Sequence, residues 1–404
     1  MVRSPLLSLA VAAALVLGVG VGDADAAVPP GAWQVLRSVS QVPAQVDNST
    51  LASVSMASAS DGWAVGTFMD PQAVSRPLAE HWNGRAWRIT ASTQLPKTDA
   101  SGQLSGVDQV GPADAWAVGN GTLASGGERT LIEHFIGTSW AVVPSPDVFT
   151  GTGADDQLDG IGGISARDLW AVGFAFNGSN LALPLLEHFN GTRWQSLAAP
   201  ATGGFPDLVS VSADSASDAW AVGTTAAPND ASLAVHWNGH AWNIVEVPCL
   251  QDGTVSVGCT SINVLTGVSA PSASNVWASG YEEGSGLSFV PYVLHWNGKA
   301  WSLTKTPNRG DVGSSLRGII ALSPDDVWAV GQTQTDGNSV IATITEHFDG
   351  RAWSVVPSPD PGLLGNDSLD GVASVAGGQL FAVGADSQSG QCCLRTLALR
   401  HTTG

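Results

Sequence analysis

Three charged residues interrupt short apolar segments of this chain, and each directly follows a leucine. They are Asp159, Arg317 and Asp370. A carboxyl group in apolar surroundings can act as a general acid or base, and a neighbouring arginine can bind or orient a polar ligand. If the protein is an enzyme, these three residues are its candidate catalytic groups. The alternative is structural, with Arg317 and Asp370 forming an ion pair between neighbouring repeats.

A second set of candidate residues combines aromatic rings with carboxylates. Its members are Phe149, Phe174, Phe176, Phe205, Asp155, Asp156 and Asp159. All four phenylalanines are predicted to lie in loops of variable length, where exposed apolar and acidic groups could bind a ligand. The alternative is that these rings pack long loops against the fold.

The acidic segments 156–160 and 366–371 resemble each other, and clustered carboxylates suit calcium. Neither segment has the alternating Asp/Asn loop with a distal glutamate, so calcium is only an alternative and no cofactor or metal is expected. The chain also lacks a Gly-x-Ser-x-Gly elbow, a His-Glu-x-x-His motif, a phosphate loop and a dinucleotide fingerprint. A glycosidase pair of carboxylates stays open, because sequence does not give their separation.

The elements that must position these residues repeat at intervals of roughly fifty residues. A Trp-Ala-Val-Gly-like tetrapeptide is followed each time by a His-aromatic-Asn-Gly-x-x-Trp-like segment. The tetrapeptides begin at Trp63, Trp116, Trp170, Trp220, Trp277, Trp328 and Phe381. Together with an apolar run before each tetrapeptide, the pattern predicts four strands per repeat, and the Asn-Gly pair predicts a tight two-residue hairpin with positive φ at both centres.

The sequence therefore predicts an all-β fold, a seven-bladed β-propeller with four antiparallel strands per blade. The last repeat stops before its fourth strand, and residues 31–36 match the missing strand. We expect this N-terminal strand to complete the last blade, because closure leaves no unpaired edge. Residues 27–404 then form a single domain.

The residue after the first-strand leucine is predicted to lie near the mouth of a central channel in every repeat. These residues are Ala52, Ser105, Asp159, Val209, Thr266, Arg317 and Asp370. On that face the connections vary in length, whereas the turns on the opposite face are uniform. Variable loops on a rigid scaffold usually carry specificity, so the variable face is the predicted binding face.

The tryptophans and histidines fit a structural role. All sixteen tryptophans fall on repeat positions, where we expect them to pack between blades with each N–H bonded to a carbonyl. Seven of the eight histidines, His401 among them, are assigned to one third-strand position and predicted to make a structural hydrogen bond.

The first 26 residues have the pattern of a signal peptide that is removed on export. Arg3 precedes an apolar run from 6 to 21, and Ala24-Asp25-Ala26 supplies small residues for cleavage. A secreted, extracellular protein without a transmembrane segment is expected. The formal net charge of −19 makes nucleic acid and anionic membranes unsuitable partners. Richness in Ala, Gly and Val is consistent with a bacterial chain.

Four cysteines in an exported chain of this length predict local cross-links. We favour a disulfide between Cys249 and Cys259, which flank one loop. The adjacent Cys392 and Cys393 would then form a vicinal disulfide or remain two thiols, and a vicinal pair could rigidify its turn or support a ligand.

The blade pattern resembles the Trp-Ala-Val-Gly repeat propellers of exported bacterial proteins. It is more distantly similar to BNR/Asp-box propellers, which carry an Asp-x-Gly-x-Thr-Trp turn where this chain has Asn83-Gly84-Arg85-Ala86-Trp87. The resemblance implies a propeller. It does not imply sialidase activity, because the Asp-box itself and a sialate-binding arginine triad are both absent.

Three classes of function follow from the sequence. The favoured one is a monomeric binding protein that recognises a polysaccharide, a cell-wall component or a protein through its variable loops. The first alternative is a carbohydrate-active hydrolase or lyase with Asp159 or Asp370 as acid or base at the channel mouth. The second is a non-catalytic envelope or adhesion protein.

Overall fold

The computed structural model describes residues 31–36, 38–39, 48–90, 95–151, 153–226, 231–256, 259–284, 289–307, 313–335, 340–361, 366–387 and 394–402. The predicted signal peptide and Cys392 and Cys393 lie outside these residues. Within the described ranges all regular elements are β-strands, so they hold no helix of the length and apolarity that crossing a membrane requires.

The strands follow one another in chain order with short connections. The first ten are β1 (Trp33–Val35), β2 (Ser38–Val39), β3 (Ser49–Ser58), β4 (Asp61–Met69), β5 (Ser75–Trp82), β6 (Trp87–Ile89), β7 (Asp99–Gly111), β8 (Asp114–Leu123), β9 (Glu128–Ile136) and β10 (Ser139–Val143). The next ten are β11 (Asp155–Ser165), β12 (Asp168–Phe176), β13 (Ala182–Phe189), β14 (Trp194–Ser196), β15 (Pro206–Ser215), β16 (Asp218–Thr225), β17 (Ala231–Trp237), β18 (Trp242–Ile244), β19 (Cys249–Gln251) and β20 (Thr254–Ser256). The remainder are β21 (Ile262–Ser272), β22 (Asn275–Glu283), β23 (Phe289–Trp296), β24 (Trp301–Lys305), β25 (Gly313–Ser323), β26 (Asp326–Thr335), β27 (Val340–Phe348), β28 (Trp353–Val356), β29 (Ser368–Ser374), β30 (Leu380–Ser387) and β31 (Leu394–His401).

Consecutive strands pair antiparallel in four-stranded units. These units are β3–β6, β7–β10, β11–β14, β15–β18, β21–β24 and β25–β28. The C-terminal strands β29, β30 and β31 are completed by β1, with Trp33 opposite His401. The antiparallel meander agrees with the predicted four strands per repeat.

The first strand of every unit carries a β-bulge at the same place. In β25, Leu316 pairs with Gly331 and Gly318 pairs with Val330, which leaves Arg317 between them outside the ladder. The same register shift flanks Ala52, Ser105, Asp159, Val209, Thr266 and Asp370. A bulge turns its extra residue out of the regular alternation, and this explains why the position after the leucine is distinct in each repeat.

The bulge also explains the glycine of the Trp-Ala-Val-Gly segment. Gly331 lies opposite the bulge in β26, and a Cβ there would be 2.0 Å from the carbonyl oxygen of Ser315. In the other units, a Cβ on the equivalent glycine would lie 1.9 to 2.1 Å from the carbonyl oxygen of the residue equivalent to Ser315. Any side chain would have to push the two strands apart, so the tetrapeptide ends in glycine for steric reasons.

Aromatic residues fill the space between neighbouring units. Trp170 of β12 stacks on His188 and meets Trp242 of the next unit edge to face, with ring centroids 5.1 Å apart. The Nε2 atom of His188 is hydrogen-bonded to Asp168 at 2.7 Å, which confirms the predicted structural role for this histidine. The same arrangement recurs at His81, His134, His236, His295 and His347, with Asn275 replacing Asp for His295.

Two details of the predicted aromatic packing are wrong. His401 lies one position later than the other histidines: Arg400 takes their place opposite Phe381, and His401 packs on Trp33 and Trp328 as an aromatic residue would. The indole N–H groups of Trp82, Trp237 and Trp296 donate to backbone carbonyl oxygens, but this bond is not made throughout the set. The buried indole nitrogens that have no hydrogen-bond partner among the described residues are those of Trp33, Trp87, Trp116, Trp140, Trp170, Trp194, Trp220, Trp242, Trp301 and Trp353. The rings themselves pack on other aromatic side chains, as Trp170 does on His188 and Trp242.

The Asn-Gly hairpins form, but not as two-residue turns. Trp82 pairs with Trp87, so the loop has four residues, and Gly84 has φ of +88° while Asn83 is not in the positive-φ region. The side chain of Asn83 accepts hydrogen bonds from the backbone N–H groups of Arg85 and Ala86. The asparagine is therefore needed for its side-chain oxygen, as in an Asx-turn, and not for a left-handed backbone.

A separate two-stranded hairpin, β19–β20, precedes β21. Cys249 is disulfide-bonded to Cys259, as predicted. The turn residues Asp252 and Gly253 both have positive φ and donate their N–H groups to Glu282 at 2.6 and 2.8 Å. The hairpin is thus held to β22 by a buried carboxylate, while the cross-link joins β19 to the segment that leads into β21.

Candidate functional site

A central cavity of about 340 Å³ is lined by the first strand of each unit. All seven bulge residues contribute to its lining, namely Ala52, Ser105, Asp159, Val209, Thr266, Arg317 and Asp370. The seven predicted positions thus line one common cavity. Because each bulge projects one residue from an otherwise regular ladder, the lining can differ from strand to strand without changing the fold.

Arg317 and Asp370 form the predicted ion pair. The guanidinium Nη1 of Arg317 contacts Oδ1 of Asp370, and its Nη2 donates to Oε1 of Gln332 at 3.2 Å. Ser368 donates to the second carboxylate oxygen of Asp370 at 3.1 Å. The side chain of Arg317 is 41% exposed and that of Asp370 is 20% exposed. The pair is therefore fixed by its neighbours and still open to a ligand.

Two further cavities adjoin this pair. One, of about 470 Å³, is lined by apolar groups that include Leu51 and Ile341, and the other, of about 370 Å³, is lined by Tyr281 and Phe289. Arg317, Gln332 and Asp370 are the only residues common to both linings in the described part of the chain. We call these three residues the polar bridge.

The aromatic wall of the smaller cavity is well defined. Tyr281 and Phe289 pack edge to face, with ring centroids 5.4 Å apart and an interplanar angle of 84°. Burial raises the pKa of the Tyr281 hydroxyl, although the positive charge of Arg317 acts in the opposite direction. The hydroxyl is thus uncharged near neutral pH and lies within the electrostatic influence of Arg317.

Asp159 lies on another part of the central cavity and is paired with a second carboxyl group. Burial raises its pKa well above the usual range, and the charge of Asp207 raises it further. Burial also raises the pKa of Asp207, which accepts a hydrogen bond from Asp159. Gln157 donates to Oδ1 of Asp159 at 2.8 Å. Raised pKa values on two adjacent carboxyl groups favour a protonated form of the pair, and a protonated carboxyl group is what a general acid requires.

Sequence reasoning missed three polar groups: Asp108 and Gln332, which line these cavities, and Asp207, which is the partner of Asp159. Asp207 directly precedes the first-strand Leu208, and Asp108 lies four residues after Leu104, so both were detectable as charges in an apolar strand. Burial raises the pKa of Asp108 to about 6, opposed by hydrogen bonds from Gly163 and Ser55. Gln332 had no signal, because an uncharged polar residue within a strand such as β26 does not stand out in sequence.

The residues of the predicted aromatic and acidic patch have different environments. Phe149 packs partly buried on a core cluster, and Asp156 is fully buried and accepts hydrogen bonds from the N–H groups of Val148 and Phe149. Burial raises the pKa of Asp156 to about 6. These two residues anchor the loop that follows β10, in line with the structural alternative for them.

Phe174 and Phe176 were expected in a loop, which is wrong, since both belong to β12. Phe176 contacts Phe205 with ring centroids 5.7 Å apart, and Phe205 is 55% exposed. Asp155 accepts a hydrogen bond from the N–H of Glu128 at 3.1 Å. A ligand role for Phe174, Phe176, Phe205 and Asp155 remains a prediction.

A separate set of carboxyl groups is buried between units, away from the cavity mouth. Glu80, Glu133, Glu187 and Glu346 occupy one third-strand position and are 0% exposed, whereas Val235, Leu294 and Leu399 occupy it elsewhere. Burial raises the pKa of Glu133 to about 7 and that of Glu187 and Glu346 to about 8. The raised pKa values favour the uncharged form of Glu133, Glu187 and Glu346 near neutral pH.

Metal ligands are not concentrated in the described ranges. There, no three His, Cys, Asp or Glu side chains lie together in a way that could hold a metal ion.

Comparison with known proteins shows similarity at the level of fold. No family model and no curated protein sequence matches the chain. Among solved structures, YCF48 bound to D1 peptide is similar with a TM-score of 0.51 and 13% identity, over 93% of this chain and 100% of that one. The sialidase of Trypanosoma rangeli in complex with the inhibitor DANA is similar with a TM-score of 0.46 and 10% identity, over 86% of this chain and 57% of the sialidase. The described chain thus has an all-β, propeller-like fold.

Proposed function

We propose that this protein is an exported binding protein whose ligand occupies the variable face at the mouth of the central cavity. The observation that carries the proposal is the polar bridge, where a partly exposed arginine is fixed by Asp370 and Gln332 at the junction of two cavities. Polar groups placed within an otherwise apolar concave surface are typical of ligand sites.

The scaffold for this site is, in our proposal, a closed seven-bladed propeller. Its support is the pairing of β1 with β31 and a core cluster in which Leu51 and Val54 of β3 pack with Phe381 and Val383 of β30. That contact joins the first and last units of the chain. A closed arrangement holds the bulge residues rigidly, which lowers the entropy cost of binding.

The proposed location is extracellular, after removal of residues 1–26. The Cys249–Cys259 disulfide supports an oxidising compartment. The net charge of −19 favours solubility and a monomer, and it disfavours nucleic acid and anionic lipid as ligands.

An enzyme is the second candidate, and the adjacent carboxyl groups of Asp159 and Asp207, both with raised pKa values, favour it. A protonated carboxyl group lining a cavity can serve as a general acid in glycoside cleavage. In that case Asp159 would act as the acid and Asp207 would hold its pKa high. Asp159→Asn would then abolish turnover and leave binding intact.

The test is binding of the purified chain from residue 27 onward to glycan, cell-wall polysaccharide and peptide arrays. Arg317→Ala should abolish the array signal without lowering the melting temperature appreciably. Arg85→Ala is the matched control, because Arg85 is exposed in the turn between β5 and β6 on the opposite face. Equal binding by wild type and Arg317→Ala would refute the proposed site.

A further inference from the structure

The linings of the two cavities beside the polar bridge carry one positive and one negative charge. Arg317 and Asp370 are the only charged residues in either lining as far as the chain is described, and they are paired with each other. An ionic ligand would gain little net attraction there and would compete with an existing pair. Charge balance at the site thus favours an uncharged ligand.

The polar bridge nevertheless has hydrogen-bonding capacity left. Within the described residues, Nε of Arg317 and Nε2 of Gln332 make no hydrogen bond, while the carboxylate of Asp370 accepts from Arg317 and Ser368 and has further lone pairs. A hydroxyl group both donates and accepts. Neighbouring hydroxyls on one ligand could accept from the arginine or amide and donate to the carboxylate at the same time.

The walls on either side of the bridge are largely apolar. Tyr281 and Phe289 form the wall of one cavity, and Leu51, Ile341 and Ala385 contribute to the other. Volumes of about 370 and 470 Å³ lie within the range of roughly 300 to 1,000 Å³ that is typical of small-molecule sites. Each cavity can therefore hold one compact unit that has an apolar face and a polar edge.

We infer that the ligand is an uncharged oligosaccharide of at least two units that lies across the polar bridge, with one sugar in each cavity. A pyranose has the required chemistry, since its C–H face packs on apolar or aromatic walls and its hydroxyls line its edge. The inference rests on the proposed function and narrows its ligand class. Peptides and acidic glycans are the competing outcomes.

The experiment uses an array of neutral gluco-, manno-, galacto- and xylo-oligosaccharides of one to six units, with oligogalacturonides, sialylated glycans and a peptide library on the same surface. We expect binding to a neutral series that strengthens at least tenfold from one unit to two. Calorimetric affinity for the best neutral glycan should be unchanged between 50 and 500 mM salt, since an uncharged ligand gives nothing to screen. Arg317→Ala and Tyr281→Ala should each weaken it at least tenfold, and Arg85→Ala should not.

Each other outcome has a distinct meaning. Binding of only acidic glycans or peptides, lost in Arg317→Ala, would overturn the ligand class and leave the proposed site intact. Equal affinity for one and two units would overturn the two-cavity arrangement. Neutral glycan binding that survives both substitutions would overturn the site itself.

Discussion

Arg317 and Asp370 form an ion pair between two β-bulges that belong to different sheets. Each residue stands outside the hydrogen-bonded ladder of its own strand, β25 or β29, and each is aimed into the same cavity. The pair links β25 to β29, two strands that do not pair with each other in a sheet. The contribution of the pair to stability therefore depends on how far its two side chains are exposed to solvent.

A double-mutant cycle should give a small coupling energy for this pair. Arg317 is 41% exposed, and exposed pairs are worth about 0 to 1 kcal/mol. We expect this range from urea unfolding of Arg317→Ala, Asp370→Ala and the double variant. The Arg129–Asp99 pair is the comparison, because its carboxylate is 0% exposed and its coupling should be larger. A value above about 2 kcal/mol for Arg317–Asp370 would contradict this prediction.

The bulge glycine is expected to be intolerant of any side chain. Gly331→Ala would place Cβ 2.0 Å from the Ser315 carbonyl oxygen, so we expect a loss of about 3 kcal/mol or more in the free energy of unfolding. Gly111→Ala is the control, since its Cβ would meet nothing nearer than 3.7 Å and its φ is not positive. Similar melting temperatures for the two variants would show that the strands can separate at the bulge.

Much of the fold could be predicted from sequence because the same strand and hairpin motifs recur from repeat to repeat. A Trp-Ala-Val-Gly strand, a histidine strand and a hairpin are each determined by local chemistry that neighbouring units repeat, as Asp168 and His188 illustrate. Errors arose where one copy departs from the rest. His401 was misplaced by one residue because the last unit has arginine where the others have histidine.

The candidate site was only partly accessible to sequence reasoning. Arg317 and Asp370 were detectable as charges in apolar strands. The partnership of Asp159 with Asp207 was not detectable, because it depends on how closely β11 approaches β15. The strands come so close there that a Cβ on Gly160 would lie 2.9 Å from the carbonyl oxygen of Val209. Which residues adjoin across units is a tertiary property that the spacing within one unit does not encode.

The buried glutamates should make the protein less stable as the pH rises. The pKa of Glu346 is raised from 4.5 to about 8, so the folded state holds a proton that the unfolded state has released. Stability is therefore lost progressively between about pH 4.5 and 8, by about 1.4 kcal/mol per pKa unit at most for one group. Glu346→Leu introduces the residue that other units carry at this position, as Leu294 and Leu399. It should raise the melting temperature by roughly 2 °C or more at pH 8 and should not at pH 4.5.

The control for that experiment is Glu246→Leu, because Glu246 is exposed. Its melting temperature relative to wild type should not change with pH. If Glu346→Leu raised the melting temperature equally at pH 4.5 and pH 8, the gain would come from better packing and not from removal of an ionisable group.

Replacing two phenylalanines of the predicted patch, Phe149 and Phe205, should lower the free energy of unfolding by different amounts. Phe149→Ala removes a ring that packs on a core cluster and should cost about 2 kcal/mol. Phe205→Ala removes a ring that is 55% exposed and should cost less than about 1 kcal/mol. Chemical denaturation of both variants provides the measurement. Equal losses would mean that Phe205 also anchors its loop.

The repeated bulge has a consequence for how such a chain can diversify. Each bulge residue lies beside a backbone whose ladder bonds are made by its neighbours, so exchanging Val209 or Ser105 disturbs no strand pairing. The lining of the central cavity can thus change at such positions without a change in strand pairing, whereas Arg317 and Asp370 are coupled through their ion pair. Selection, or a protein engineer, could rewrite the chemistry of the cavity residue by residue while the framework around it stays the same.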